Sequence, residues 1–518
     1  MKDEKLVLSY DLGTQSIRAI IFDKEGNTIA KDKIVYEEPY FSTEIGYAEQ
    51  TPEFYWDAVC SVSKKLHLIC GNDWEKITAV SVTTCRDVVT CLDGDNNPLR
   101  PFILYLDQRR VENIEERFNP IQVKIFKLLK MWDTVSSQFC ASPCNWLSRH
   151  EPQIWAKTKK FVMLSGYMNY KLSGALVDSY ASQVGHVPYN YKKKKWQTKS
   201  DMSEFLYDAK IDKMIELVEP CKVIGTISKE VSLQTDLPFG ISVITSGADK
   251  ACETIGVGCD KKDIAAISLG TSASVEIATD KYIEPLPFLP AYSSIYPNKY
   301  HPEILIYRGF WMISWFKKEF AEKEITQAEN LGCSVEEILD REMTKIPIGC
   351  NGLVLQPYWS PCVQVPIAKG SMIGFSDYHT KMHIYRAIIE GVGFALYEGM
   401  QNMEKRTGCR IKKIAISGGG SHSDKVCQIM ADLFGLPAFR VQTYETSALG
   451  AAMASFVGIK VYDNVALAVA NMSHKSIEFL PNLENHKKYE LIFNRVYKRV
   501  YRKNRKTFRN IREIHQDK

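Results

Sequence analysis

One short pattern occurs twice in this chain and restricts its fold more than any other feature. Asp11-Leu12-Gly13-Thr14-Gln15-Ser16 is followed 257 residues later by Ser268-Leu269-Gly270-Thr271-Ser272-Ala273, with the Leu-Gly-Thr core repeated. Apolar, β-favouring runs precede the two copies (6–10 and 264–268) and follow them (17–22 and 274–278). Strand, tight Gly-Thr turn, strand predicts a β-hairpin in each half. Glycine lets backbone approach a ligand closely, and such a turn can aim N–H groups and a Thr hydroxyl at an anion. The duplication therefore predicts two similar α/β domains around one cleft, with a polyphosphate held from both sides.

The remaining pattern alternates strands and helices. Strands are expected at about 6–11, 16–23 and 28–37, with Glu25-Gly26-Asn27 turning the second into the third. Thr51 caps a helix over 52–70 that starts on Pro52, and a buried strand follows at 77–82. A hairpin brackets Asp93-Gly94-Asp95-Asn96-Asn97, helices are expected over 109–132 and 157–172, and Lys192-Lys193-Lys194-Lys195 reads as a solvated loop. A strand over 240–246 leads to Gly247-Ala248-Asp249, which sets expected domains of 1–248 and 249–475. The second half predicts long helices at 381–407 and 421–435 flanking a strand at 411–416. The segment 476–518 reads as a basic tail, with Tyr489, Phe493, Val496, Tyr497 and Val500 at the spacing of one docked helical face.

Composition excludes several classes. The 518 residues carry a net charge of only +5, and eleven Lys or Arg fall between 487 and 512, so the rest gives no reason to expect nucleic acid. No apolar run is long enough to span a membrane, and Met1-Lys2-Asp3-Glu4-Lys5 does not begin a signal peptide; a cytoplasmic protein is expected. Fourteen scattered cysteines without CxxC spacing read as reduced thiols, not as disulfides or a zinc site. GxxxxGK[ST], a helix-opening GxGxxG and HExxH are all missing, which discards P-loop, dinucleotide-binding and zinc-protease readings.

Four places carry potential chemistry. Asp11 ends a strand beside the first turn, where a carboxylate suits magnesium next to a nucleotide or simply caps the turn. Ser417-Gly418-Gly419-Gly420-Ser421 follows a strand and precedes a helix, so its backbone can lie against a flat ligand or a phosphate. Asp249, at the domain junction, can accept the proton of an attacking hydroxyl or act as a helix N-cap. Arg86 and Asp87 after the strand at 77–84 can read the hydroxyls of a polyol or form a surface ion pair.

Taken in order, these stretches resemble the FGGY family of carbohydrate kinases, within the actin, hexokinase and heat-shock chaperone ATPase superfamily. Asp11-Leu12-Gly13-Thr14-Gln15-Ser16-Ile17-Arg18 resembles the first phosphate motif and Ser268-Leu269-Gly270-Thr271-Ser272 the second. Ile416-Ser417-Gly418-Gly419-Gly420 with Asp432-Leu433-Phe434-Gly435 resembles the adenosine motif. Gly46-Tyr47-Ala48-Glu49-Gln50, Asp107-Gln108-Arg109 and Gly370-Ser371-Met372-Ile373-Gly374-Phe375 with Ala387-Ile388-Ile389-Glu390 match further family stretches.

The resemblance implies two actin-like (ribonuclease H-like) α/β ATPase domains related by internal duplication, with an interdomain cleft. It implies transfer of the γ-phosphate of ATP to a sugar or polyol hydroxyl, first of all that of a ketopentose such as xylulose. By carry-over Asp249 is the general base, and Asp11 with Asp249 holds Mg2+. Gly13, Thr14, Gln15, Arg18, Gly270 and Thr271 are implied at the phosphates, Gly418, Gly419 and Gly420 on the adenosine side. Arg86, Asp87, Asp249 and Lys250 are implied on the substrate side. The expected partner is a small sugar or polyol, neither nucleic acid nor membrane, and a homodimer is one open arrangement.

Three departures bear on the substrate. The family's Lys a few residues before a Trp-Leu pair is missing from Ala141-Ser142-Pro143-Cys144-Asn145-Trp146-Leu147. Arg86-Asp87 is closer to the Arg-Glu of glycerol kinases, or to the Arg-acid pair of autoinducer-2 kinases, than to the Met-His of xylulose kinases. Lys250 fits neither the glycerol nor the xylulose pattern. Glycerol kinase or autoinducer-2 kinase activity is thus the alternative within the family. A chaperone or filament ATPase, or an inactive sugar or nucleotide sensor, is the alternative outside it.

Overall fold

The computed structural model describes residues 5–112, 114–128, 131–201, 203–287, 289–360 and 365–515. The chain forms two compact units. The first takes the residues up to Gly256 together with Tyr292–Lys299 and Ser447–Ser473; the second takes Val257–Ala291, Tyr300–Thr446 and the chain from His474 on.

The sheet of the first unit contains β1 (Leu6–Leu12), β2 (Ser16–Phe22), β3 (Thr28–Val35), β4 (Ile77–Thr84), β5 (Val223–Thr226) and β6 (Ser242–Ile244) in the order β5-β6-β4-β1-β2-β3. β1, β4 and β6 run parallel, whereas β2, β3 and β5 pair antiparallel. All of β1 is buried, because central strands covered on both faces need no polar alternation. β3 lies at the edge and exposes every second residue along most of its length, with Lys31 and Lys33 on a strand that has no further neighbour to pair with. Helix α1 (Pro52–Cys70) starts as expected, with Thr51 Oγ1 accepting from Phe54 N at 3.3 Å.

In the second unit β7 (Ile264–Leu269), β8 (Ala273–Ile277), β9 (Tyr300–Ile306), β10 (Lys413–Ser417), β11 (Ala438–Val441) and β12 (Lys475–Phe479) lie in the order β9-β8-β7-β10-β11-β12. β7, β10 and β11 are parallel; β8, β9 and β12 are antiparallel. Over these six strands, of the seven in the second sheet, the two sheets repeat one topology: a three-stranded meander, two parallel strands, one antiparallel edge. In this correspondence the residues after β4, Arg86 and Asp87, occupy the place that Gly418–Gly420 occupy after β10.

The expected linear boundary at 248/249 differs from this division. Helix α2 (Asp249–Gly256) and the helix Thr446–Gly458, from Ser447 on, pack into the first unit. Cys252 and Ile255 share a core with Ala448, Leu449, Ala451 and Ala452, and a Cβ on Gly450 would lie 2.0 Å from Cys252 O. Apolar burial of these helices, not chain order, decides where they belong.

Four local expectations are corrected. The span 157–172 is not all helix: Lys160–Met163 is a strand paired with Val89–Leu92, followed by the helix Leu164–Ser173. The span 109–132 is broken into Ile114–Arg117 and Pro120–Leu128 before Trp132–Cys140, with Pro120 at the start of a helix; residues 113, 129 and 130 lie outside the described ones. Lys194 is not merely solvated: its Nζ donates to Lys299 O at 3.2 Å, and burial lowers it to about 8. In the C-terminal helices (Leu483–Ile492 and Lys498–His515) Tyr489, Phe493, Tyr497 and Val500 are buried, but Val496 is 38% exposed. A π-helical turn over Phe493–Tyr497 advances each residue by a smaller angle and turns Val496 off the buried face. Among the described residues no helix is long and apolar enough to cross a membrane.

Candidate active site

Each expected loop has a defined local build. In the first, Gly13 N–H donates to Ser16 O at 3.0 Å, closing the turn between β1 and β2. Thr14 Oγ1 donates to Tyr105 OH at 3.1 Å, and Gln15 is exposed. Asp11 and Arg18 face each other across the hairpin, with Arg18 Nη1 donating to Asp11 Oδ2 at 3.1 Å. Arg18 thus balances a buried carboxylate while remaining a third exposed itself (32%).

The second loop joins β7 and β8. Phe310 N–H donates to Gly270 O at 3.0 Å and Trp311 N–H to Thr271 O at 3.2 Å, so the loop's carbonyls are held from behind while Thr271 is exposed. The glycine triplet is packed against this same loop. Gly418 has φ +78°, and a Cβ there would lie 2.9 Å from Gly270 N. A Cβ on Gly420 would strike the Phe310 ring at 2.4 Å, whereas one on Gly419 would meet no protein atom within 4 Å. Gly419 therefore lines open space at the surface of the triplet. Ser421 Oγ donates to Gly418 O at 2.6 Å, and Ser423 caps α3 (Asp424–Phe434) by accepting from Val426 N at 3.1 Å. The sequence reading missed the exposed His422 ring stacked on Tyr444 at 3.7 Å beside the triplet. No motif links two residues so far apart in sequence.

Of the substrate-side candidates, Arg86 and Asp249 approach each other at the carboxyl ends of β4 and β6 in the first unit. Thr83 Oγ1 donates to Gly247 O at 2.9 Å and Ser246 Oγ to Val82 O at 2.5 Å, which ties the turn before Asp249 to β4. Asp249 is the first residue of α2 and Arg86 Nε lies 3.7 Å from its Oδ1. Burial pushes the Asp249 carboxyl above the usual carboxylate range, while Arg86 and Lys250 pull it back. Arg86 also lies over the Tyr292 ring at 5.5 Å. Lys250 Nζ donates to Glu253 Oε2 at 2.6 Å along its own helix. Asp87 has a partner that sequence spacing did not reveal: His186 Nδ1, 2.7 Å from Asp87 Oδ2.

Two motif stretches turn out to be scaffold. The buried Arg109 bonds Asp107 and Glu49 and lies over the partly buried Tyr47 at 3.9 Å and the buried Trp146 at 4.6 Å. Asn145 in the stretch before Trp146 is likewise core, donating to Phe139 O and Leu206 O.

Among the described residues no cluster of three or more His, Cys, Asp or Glu is placed to hold a metal. The donor set, a carboxylate such as Asp11 beside a backbone turn, fits Mg2+, which keeps its waters and binds through one or two carboxylates plus phosphates.

Residues 6–256 match the family model for the N-terminal domain of the FGGY family of carbohydrate kinases, and residues 265–459 match that for the C-terminal domain. A xylulose kinase of Lactococcus lactis is 28% identical over 504 residues, covering 96% of each chain. Crystal structures of a gluconate kinase and of a ligand-bound xylulose kinase, both from Lactobacillus acidophilus, superpose with TM-scores of 0.82 at 22% identity, over 98% of this chain and 100% of theirs.

Proposed function

This chain belongs to the FGGY family of carbohydrate kinases, and on that premise we propose that its substrate is a neutral ketopentose such as xylulose. The chain is a sugar phosphotransferase, and ATP is its phosphoryl donor. The observation that carries the substrate reading is the approach of Arg86 to Asp249 at the ends of β4 and β6, with Asp87 next to Arg86 in the chain. Two carboxylates with one guanidinium, and a Lys250 already paired with Glu253, suit a neutral polyhydroxy compound and repel an acid sugar. Relatives named xylulose kinase support the same reading.

In the proposed mechanism Arg86 and Asp87 orient the sugar. Asp249 accepts the proton of one hydroxyl as that oxygen forms its bond to the γ-phosphorus and the bond to the β-phosphate oxygen breaks, releasing ADP. In the first unit Thr14, Gln15 and Arg18, on the turn that Gly13 closes, and in the second unit Gly270 and Thr271, present N–H, hydroxyl and guanidinium donors of the kind a phosphate takes. Gly418, Gly419 and Gly420 take the adenosine side. Asp11 and Asp249 would hold Mg2+, which would neutralise charge on the phosphate oxygens when bound. The chain's own work is positioning and electrostatics.

ADP release by the purified chain, followed against a panel of ketopentoses, polyols including glycerol, and aldonates, tests this reading. Turnover stimulated most by a ketopentose is expected. A preference for gluconate or glycerol overturns the substrate; sugar-independent turnover or none overturns the catalytic reading.

A further inference from the structure

His186 is built around Asp87 with more care than an ordinary ion pair needs. Its backbone N–H donates to Asp87 Oδ1 at 3.2 Å while its Nδ1 lies 2.7 Å from Oδ2, so both carboxylate oxygens are fixed by one residue. Asp87 N–H returns a bond to Val184 O at 3.1 Å. Asp87 holds φ at 55°, in the left-handed region, and Gly185 holds φ at 152° so close that a Cβ would lie 2.2 Å from Asp87 Oδ1. Ser142 Oγ donates to His186 O at 2.8 Å, and Gly185 N–H donates to Tyr191 OH at 3.3 Å, which holds this segment from outside. Backbone strain of this sort persists where the surroundings over-determine it, and it clusters at functional sites. The His186 side chain is 34% exposed against 18% for Asp87, and Nε2 has no hydrogen-bond partner among the described residues.

We propose that His186 is a specificity-determining residue for the sugar, fixing Asp87 through Nδ1 and its own N–H while offering Nε2 to a substrate hydroxyl. The inference rests on the reading of Arg86 and Asp87 as sugar contacts. With Nδ1–H given to the carboxylate, a neutral ring accepts at Nε2. Asp87 and His186 then form two neighbouring acceptors with the Arg86 donor beside them. The pair selects a neutral sugar or polyol with adjacent hydroxyls that both donate, and it discriminates against the analogue lacking one of them.

The test compares wild type with His186→Leu and His186→Asn, using the preferred sugar and its analogues lacking one hydroxyl. Asn keeps an N–H near the place of Nδ1 but has nothing at Nε2. His186→Leu is expected to raise the sugar KM roughly 10–100-fold, the scale of a lost hydrogen bond to a charged group, with the ATP KM unchanged. His186→Asn is expected to keep tighter sugar binding than Leu, yet to lose discrimination against the analogues. If Leu does not fold, the Asn variant decides by its discrimination alone. Wild-type sugar KM and wild-type discrimination in the folded variants overturn the inference. A wild-type chain that no sugar stimulates overturns instead the kinase reading beneath it.

Discussion

Arg86 Nε stands 3.7 Å from Asp249 Oδ1, close enough to stabilise that carboxylate's charge but beyond the range of a good hydrogen bond. Burial raises the Asp249 carboxyl and Arg86 is the first of the groups that oppose it. A base must be unprotonated to act, so the acid limb of kcat/KM is expected to lie above the ordinary carboxylate range. Removing the positive charge in Arg86→Gln leaves only Lys250 and its backbone N–H to oppose burial, so the limb is expected to move to higher pH. A pH–rate profile of the two proteins checks it, and a limb that stays put or moves to lower pH counts against Asp249 as the titrating base.

Asp249 itself is the most direct target. Asp249→Asn keeps the size and the neighbours of the side chain but accepts no proton. The expected fall in kcat is about two to four orders of magnitude, the range for lost acid–base help, with little change in ATP affinity. Sugar-dependent ADP release and ATP titration separate the two quantities. Near-wild-type turnover removes Asp249 from the mechanism.

The glycine triplet allows its packing and binding roles to be separated. An added Cβ at Gly418 meets the backbone of Leu269 and Gly270 at 2.8–3.0 Å and demands φ +78°, so Gly418→Ala is expected to lower thermal stability and to disturb the second phosphate loop. Gly419→Ala meets nothing in the protein, so it is expected to keep the melting temperature but to raise the ATP KM. Calorimetry and nucleotide titration of the two variants check the contrast. An unchanged ATP KM in Gly419→Ala excludes that face from nucleotide binding.

Arg109 is expected to matter for stability. Its side chain is 3% exposed and bonds Asp107, also 3% exposed, and Glu49. Arg109→Met keeps much of the packing against Tyr47 and Trp146 but leaves Asp107 buried without its cation. Breaking a buried pair in this way costs about 3–5 kcal/mol, or on the order of 10 °C in melting temperature for a unit of this size. Thermal unfolding measures it, and an unchanged midpoint removes Arg109 from the stabilising framework.

Local signals carried the strands and turns well. The Gly-Thr hairpins, the Thr51-Pro52 helix start, the helix at 381–407 and the helix expected at 421–435, which runs over Asp424–Phe434, rest on contacts within a few residues, and sequence periodicity reports such contacts. The strand at 160–163 was not legible, because its identity comes from pairing with Val89–Leu92, some seventy residues earlier. Val496 was misplaced because a π turn breaks the helical period that the spacing assumed. His186 was invisible for the same reason as His422 and Tyr444: each partner lies on a separate stretch of chain, and no local pattern couples them.

The sequence by itself determined the duplicated α/β plan, the two Gly-Thr turns and the identity of the acids, since backbone propensity and short motifs act over neighbouring residues. Only the tertiary structure decided that α2 and the helix at 446–458 join the first unit, that Gly418 braces the second turn, and that His186 pins Asp87. Those outcomes depend on which distant surfaces bury each other and on angstrom-scale clearances between segments far apart in the chain, quantities that exist only once the chain has packed.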